Sequence, residues 1–208
     1  MEMDDSWQWF HLTAHTYGAW LYGSSRGFRT RHHREHIEGD YKNPPPKGKY
    51  DDKLKRSKEL MKQNAVTLDP EWRKIFGAAL RDKLVTLGAQ VLCVSVSSTH
   101  AHVLAKMPPG PTPRDWMGRA KKHANFIGKE KGWTGKLWGV RCKVTPIKNR
   151  GHQLNTFSYI LDHIEEGAWV WDFRRGDLKV EIVEESESPG TAVPGPASPG
   201  TAVPGLSA

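Results

Sequence analysis

Along this chain, apolar and polar positions alternate with period two in some stretches and recur at helical spacing in others. Residues 91–107, VLCVSVSSTHAHVLAKM, are two short apolar runs joined by a polar turn, with His100 and His102 opening the second run. In a strand, alternate side chains share a face, so the two imidazoles would stand side by side while Ala101 points the other way. Residues 7–17, WQWFHLTAHTY, predict a first strand, with Phe10, Leu12 and Ala14 on one face and His11, Thr13 and His15 on the other. Laid beside the histidine strand, that polar face would line the same site, where His15 is either a phosphate or metal contact or a surface residue. Residues 140–147 predict a further strand, and DLKVEIV near residue 180 a short last one.

The best marked helix is bounded by Asp69 as cap, Pro70 in the first turn and Gly88 at the end. Trp72, Ile75, Phe76, Ala79, Leu80, Leu84 and Leu87 form its apolar stripe, which is the pattern of a core face. A charged helix is predicted from Asp51 to about Gln63 and a basic one of roughly four turns after the stiff PPGPTP connector. In the latter, Trp116, Ala120, His123 or Ala124, and Ile127 make the buried side, and Arg114, Arg119, Lys121, Lys122 and Lys129 are assigned to the remainder. That basic face is either simply solvated or a surface for a polyanion's backbone. A final helix runs from about residue 152 or 155 to Glu166, before Gly167, and places Tyr159 and His163 one turn apart on one face.

Two segments break these patterns. Residues 18–50 combine glycine, three consecutive prolines and many basic groups with almost nothing to bury, which predicts a long connection. Arg26, Arg29, Arg31 and Arg34 there would supply phosphate contacts, and Phe28 a ring on which a base can stack. The neighbouring His32, His33 and His36 are read as solvated. At the other end SPGTAVPG occurs twice, at 188–195 and 198–205, so residues 184–208 are expected to be a disordered tail on a domain spanning 1–183.

Charge sharpens the picture. The formal net charge is +8, and with four acidic and no basic residues from Glu181 onward the preceding 180 residues carry 31 minus 19, or +12. Such a body attracts polyanions, nucleic acid first and an anionic membrane surface second. Cys93 and Cys142 lack metal-binding spacing and are expected as buried thiols in a reducing compartment. No run of apolar residues is long enough to span a bilayer and MEMDD is unlike a signal peptide, so a cytoplasmic, non-membrane protein is expected.

Two chemistries fit the histidines. His100 and His102 are either a metal-gripping pair or two surface groups, and Tyr159 with His163 either puts a phenol beside a metal or is an ordinary aromatic contact. Taken together, WFHLTAHTYG, THAHVLAKM, GKLW and FSYILDH resemble the IS200-like single-tyrosine HUH transposases, and more closely the branch of REP-associated tyrosine transposases. The resemblance runs from about Trp7 to Trp171. It implies a small α/β sandwich, with an antiparallel sheet of four to five strands and packed helices, as the ferredoxin-like core of an HUH nuclease. It further implies catalysis by Tyr159 with His100 and His102, and a divalent metal, Mn²⁺ or Mg²⁺, held by His100, His102 and His163. Partners implied are single-stranded or hairpin DNA, with a homodimer possible. An all-histidine site suits Zn²⁺ or Mn²⁺ better than the harder Mg²⁺, so Mn²⁺ is expected to support activity at least as well as Mg²⁺. Departures are Asp162-His163 where many relatives have Asn-Pro, His15 where arginine is common, and the basic insertion at about 18–60. A metal hydrolase acting through water, a domesticated nucleic-acid binding protein without nicking, and a purely structural role are the competing classes.

Overall fold

A computed structural model describes residues 7–24, 28–29, 36–37 and 46–178. Its elements in chain order are β1 (Gln8–Thr16), β2 (Phe28–Arg29), β3 (His36–Ile37), α1 (Asp51–Glu59), α2 (Pro70–Thr86) and β4 (Gln90–Val96). There follow β5 (His100–Met107), α3 (Pro113–Glu130), β6 (Trp138–Pro146), α4 (Arg150–Asp162), β7 (Trp169–Asp172) and β8 (Gly176–Asp177). Six strands pair in the order β6-β1-β5-β4-β7-β8, every neighbouring pair antiparallel. The path β1-α2-β4-β5-α3-β6 is the split β-α-β arrangement of ferredoxin-like domains, in which each helix crosses over the strand inserted between the two it connects. The remaining pair, β2 and β3, is a small separate ribbon.

Local sequence explains the helix boundaries. The Asp69 carboxylate accepts the Trp72 backbone N–H at 3.0 Å, Pro70 occupies the first turn, and Gly88 leaves the helix at φ +99°. Thr112 and Asp115 form a reciprocal capping box ahead of α3. The Asn149 side chain caps α4 by accepting from the His152 N–H at 2.9 Å. α1 buries none of its residues; the Ser57 hydroxyl ties it to the Tyr22 carbonyl.

The sheet has two unlike faces. Leu12, Ala14, Val94, Val96, Ala101 and Val103, all essentially inaccessible, point to the side covered by Phe76, Leu80 and Leu84 of α2 and Met117, Ala120 and Ala124 of α3. Gly77 allows α2 to seat here, since a Cβ would stand 2.2 Å from the Trp169 indole. On the other side α4 lays Ile160 over Cys93 and Leu104 in a much smaller apolar cluster. Both cysteines are free and buried, and burial beside Asp172 pushes the Cys93 thiol far up.

Three expectations change. The sheet has six strands instead of four or five, because WVWD at 169–172 pairs with β4 and turns into β8. α4 ends at Asp162, four residues early: the chain tightens through 163–166 and stops at Gly167, φ +76°, with the Ala168 N–H on the His163 carbonyl at 3.1 Å. The strand expected near residue 180 is present only as Gly176–Asp177 among the described residues. The tail at 184–208 lies outside them. No helix among the described residues is long and apolar enough to cross a membrane.

Candidate functional site

The polar face of the sheet gathers the chemistry. In register across it, Ser95 of β4 stands opposite His102 of β5, His102 opposite Thr13 of β1, and Thr13 opposite Lys143 of β6; the next rung pairs His100 with His15. The end of α4 lies over these rungs and brings down Tyr159 and His163. The ring centroids of His102 and His163 are 4.8 Å apart, those of His100 and His102 4.8 Å, and those of His100 and His163 5.6 Å. Tyr159 stands edge-on to His102 at 5.4 Å and to His163 at 4.7 Å. The structure thus brings together the four residues that sequence spacing had linked across about 60 positions.

Hydrogen bonds orient each imidazole. His163 Nδ1 donates to the Tyr159 carbonyl at 2.8 Å. The Ser97 hydroxyl gives its proton to the His100 carbonyl at 3.2 Å, and so accepts from His100 Nδ1 at 2.8 Å. His102 Nδ1 lies 2.9 Å from His11 Nε2 and 3.2 Å from the Thr13 hydroxyl. With the His102 proton on Nδ1, the Nε2 side of these rings would be the one to meet a metal, the arrangement in which an outer partner fixes a metal ligand's tautomer. His11 is therefore the positioning residue that sequence reasoning did not single out, although its alternation with Thr13 and His15 placed it on the right face.

The same burial sets protonation. Desolvation pushes His102 down to about 2, with the surrounding histidines adding to the effect. His11 is pushed down to about 4, first by burial and then by Lys143. His15 is lowered by burial and by Lys121. Neutral imidazole is the form that binds a cation. Tyr159 moves the other way, its phenol raised by partial burial and by the Glu166 carboxylate, so it is protonated at neutral pH.

These residues fit a divalent metal ion. The ligand atoms of His100, His102 and His163 all lie within 4.8 Å of one another, close enough for the group to hold a single ion. Among the described residues, His102 Nε2 is buried without a hydrogen-bond partner, as is the adjacent Ser95 hydroxyl. A buried, unpartnered ring nitrogen is costly unless something else completes it. Among the described residues the group is made of histidines alone, with no carboxylate in it to act as a base for water.

The nucleic-acid contacts expected from sequence divide. Arg119 and Lys122 are exposed on α3. Lys122 lines a groove of about 670 Å³ with Lys129 and Lys136, which meets the histidine and tyrosine cleft at Gly139 and Val140. Lys121 does not belong to that exposed set: it is buried, and its ammonium donates to the Gly139 carbonyl at 2.6 Å. Phe28 is likewise no open platform, being 1% exposed, edge-on to Tyr50 and under the Lys53 ammonium. His15 stacks on Trp20, centroids 5.6 Å apart, and lies 6.0 Å from His100. Arg29 falls in β2, while Arg26, Arg31 and Arg34 lie outside the described residues, as do His32 and His33.

No protein-family model matches the chain, and no curated protein matches it. Several solved chains are similar, two of which follow. One is a REP-associated tyrosine transposase bound to a REP hairpin, 14% identical with a TM-score of 0.38 over 80% of this chain and 74% of that one. The other, provisionally described as a transposase of Deinococcus radiodurans R1, is 15% identical with a TM-score of 0.41 over 80% of this chain and 97% of its own.

Proposed function

We propose that this protein is a metal-dependent single-stranded DNA endonuclease and strand transferase that acts through a covalent 5′-phosphotyrosine at Tyr159. The observation that carries this reading is the half-exposed phenol set directly against the three-histidine cluster, within reach of a strand lying in the cleft. Hydrolysis would discard the energy of the phosphodiester, whereas attack by a side-chain hydroxyl keeps it in a bond that can be reversed.

Tyr159 Oη bonds to the phosphorus as the P–O3′ bond breaks. The phenol's proton passes to water in the cleft, and the departing 3′-oxygen takes one up to become a free 3′-OH. Attack by that or another 3′-OH reverses the step and joins strands. His100, His102 and His163 would hold the Mn²⁺ or Mg²⁺, which when bound supplies Lewis-acid polarisation of the scissile phosphate. His11, Thr13 and Ser97 hold His102 and His100 in their ligating orientation. With its pKa raised by partial burial and by Glu166, the Tyr159 phenol must give up its proton in the course of the attack. The basic surface of α3 draws the strand in. DNA adjoining a hairpin is the substrate implied by the sequence resemblance, and a hairpin is what the similar REP-associated transposase is bound to.

The test is incubation with end-labelled hairpin-flanked single strands under Mn²⁺, Mg²⁺ or chelator, beside Tyr159→Phe. A metal-dependent, SDS-resistant adduct absent from the variant is expected. Tight binding with no adduct in any metal, on DNA shown to contain the bound sequence, would make the protein a nucleic-acid binding protein without strand cutting.

A further inference from the structure

The cleft in front of Tyr159, about 900 Å³, holds more than the residues the proposed chemistry uses. Trp20, Tyr22, Val140 and Tyr159 all line it, and these are four of the nine large apolar side chains exposed among the described residues. Trp20 is 48% exposed and Tyr22 47%. Exposed rings concentrated in one concavity mark a place where something apolar and flat is received. The indole is backed by His15, whose ring lies nearly parallel to it at an interplanar angle of 28°. His15 in turn is fixed opposite His100 across the β1-β5 pair. The platform is therefore tied through one strand rung to the metal-capable cluster. Arg141 and Lys143, both exposed on the edge strand β6, line the same cleft.

We infer that Trp20, stacked on His15, is a base platform that holds an unpaired nucleobase next to the phosphate presented to Tyr159, with Arg141 and Lys143 contacting the backbone. A polyanion carrying flat apolar rings is what this combination of cations and open aromatic faces recognises, and only an unpaired base can lay its face on an indole. The stack makes the site selective for single strands, and it fixes the register of the strand by stacking instead of by base-edge hydrogen bonds. Trp20 is a positioning residue in this scheme, acting on where the phosphate sits. The inference rests on the nucleic-acid reading of this cleft but not on strand cutting.

The experiment uses the full chain carrying Tyr159→Phe, in chelator, so that no cutting occurs. Binding of a fluorescein-labelled single-stranded oligothymidylate is compared with binding of an abasic strand of equal length and of a duplex, with and without Trp20→Ala or Trp20→Phe. The parent should prefer oligothymidylate to the abasic strand. Trp20→Ala should lower oligothymidylate affinity about 5- to 150-fold while leaving the abasic strand nearly unchanged, and Trp20→Phe should restore most of the loss. Equal weakening for both strands, no weakening, or a parent indifferent to the presence of bases would overturn the inference. A matched melting temperature for each variant keeps folding out of the comparison. A positive result here with no adduct in the cutting assay would leave the platform standing and remove the nuclease.

Discussion

The two faces of the sheet are built from the same strands and do opposite work. On β5, Ala101 and Val103 are sealed under α2 and α3, while His100 and His102, one residue out of step with them, line the polar face with Tyr159 and His163. On β1, Leu12 and Ala14 serve the core, and His11, Thr13 and His15 the site. The period of two lets one short segment carry both tasks, and it anchors each side chain of the candidate site to a neighbour that cannot move without opening the core. The apolar face supplies stability and the polar face forgoes it, keeping a buried imidazole nitrogen and a buried serine hydroxyl unpartnered.

Substitutions that separate the faces sharpen this contrast. The largest effect on folding belongs to the apolar side: Leu12→Ala should destabilise the protein by about 2–5 kcal/mol, read from chemical denaturation, with metal affinity of the folded fraction retained. On the polar side, Mn²⁺ at about a hundred times its Kd should add roughly 2.7 kcal/mol to the unfolding free energy. His102→Ala should abolish that metal-dependent gain while leaving the chelated protein folded. Third comes His11→Asn, which loses the partner of His102 Nδ1 but no ligand, and should weaken Mn²⁺ binding by about 10- to 100-fold in calorimetric titration. If it were silent, the His11-His102 contact would be packing only.

The response to acid reads the polar face without metal. In chelator, His11 is held neutral in the fold down to about pH 4, whereas in the unfolded chain it takes up a proton near pH 6.5. The unfolded state binds more protons between these values, so stability is full above pH 6.5 and declines as pH falls through that window. His102 acts in the same direction. Thermal unfolding from pH 7.5 to 4.5 should show the decline, and His11→Asn should flatten it.

Much of this organisation was legible in the sequence because it rests on periodicity. The alternation in β1 and β5 and the stripe on α2 specify which residues share a face, and the Tyr159-His163 spacing specifies one turn of helix. What was missed follows from interactions that pattern alone does not encode. WVWD is too short for its alternation to mark a strand until β4 offers it an edge. Lys121 reads as part of a charged face, yet it falls in step with Met117, Ala120 and Ala124, and its long stem carries the ammonium to a β6 carbonyl. Phe28 sits in a segment with no apolar period, so its burial against Tyr50 had no local signal. The role of His11 depended on strand register, which fixes the ring it meets.

The most direct measurement is peptide mass spectrometry of the protein after incubation with Mn²⁺ and a hairpin-flanked single strand. The account predicts a nucleotide joined through its 5′-phosphate to the peptide containing Tyr159, a companion fragment ending in a free 3′-OH, and neither product in Tyr159→Phe. Cut strands without a protein adduct, or an adduct on another residue that survives Tyr159→Phe, would contradict it.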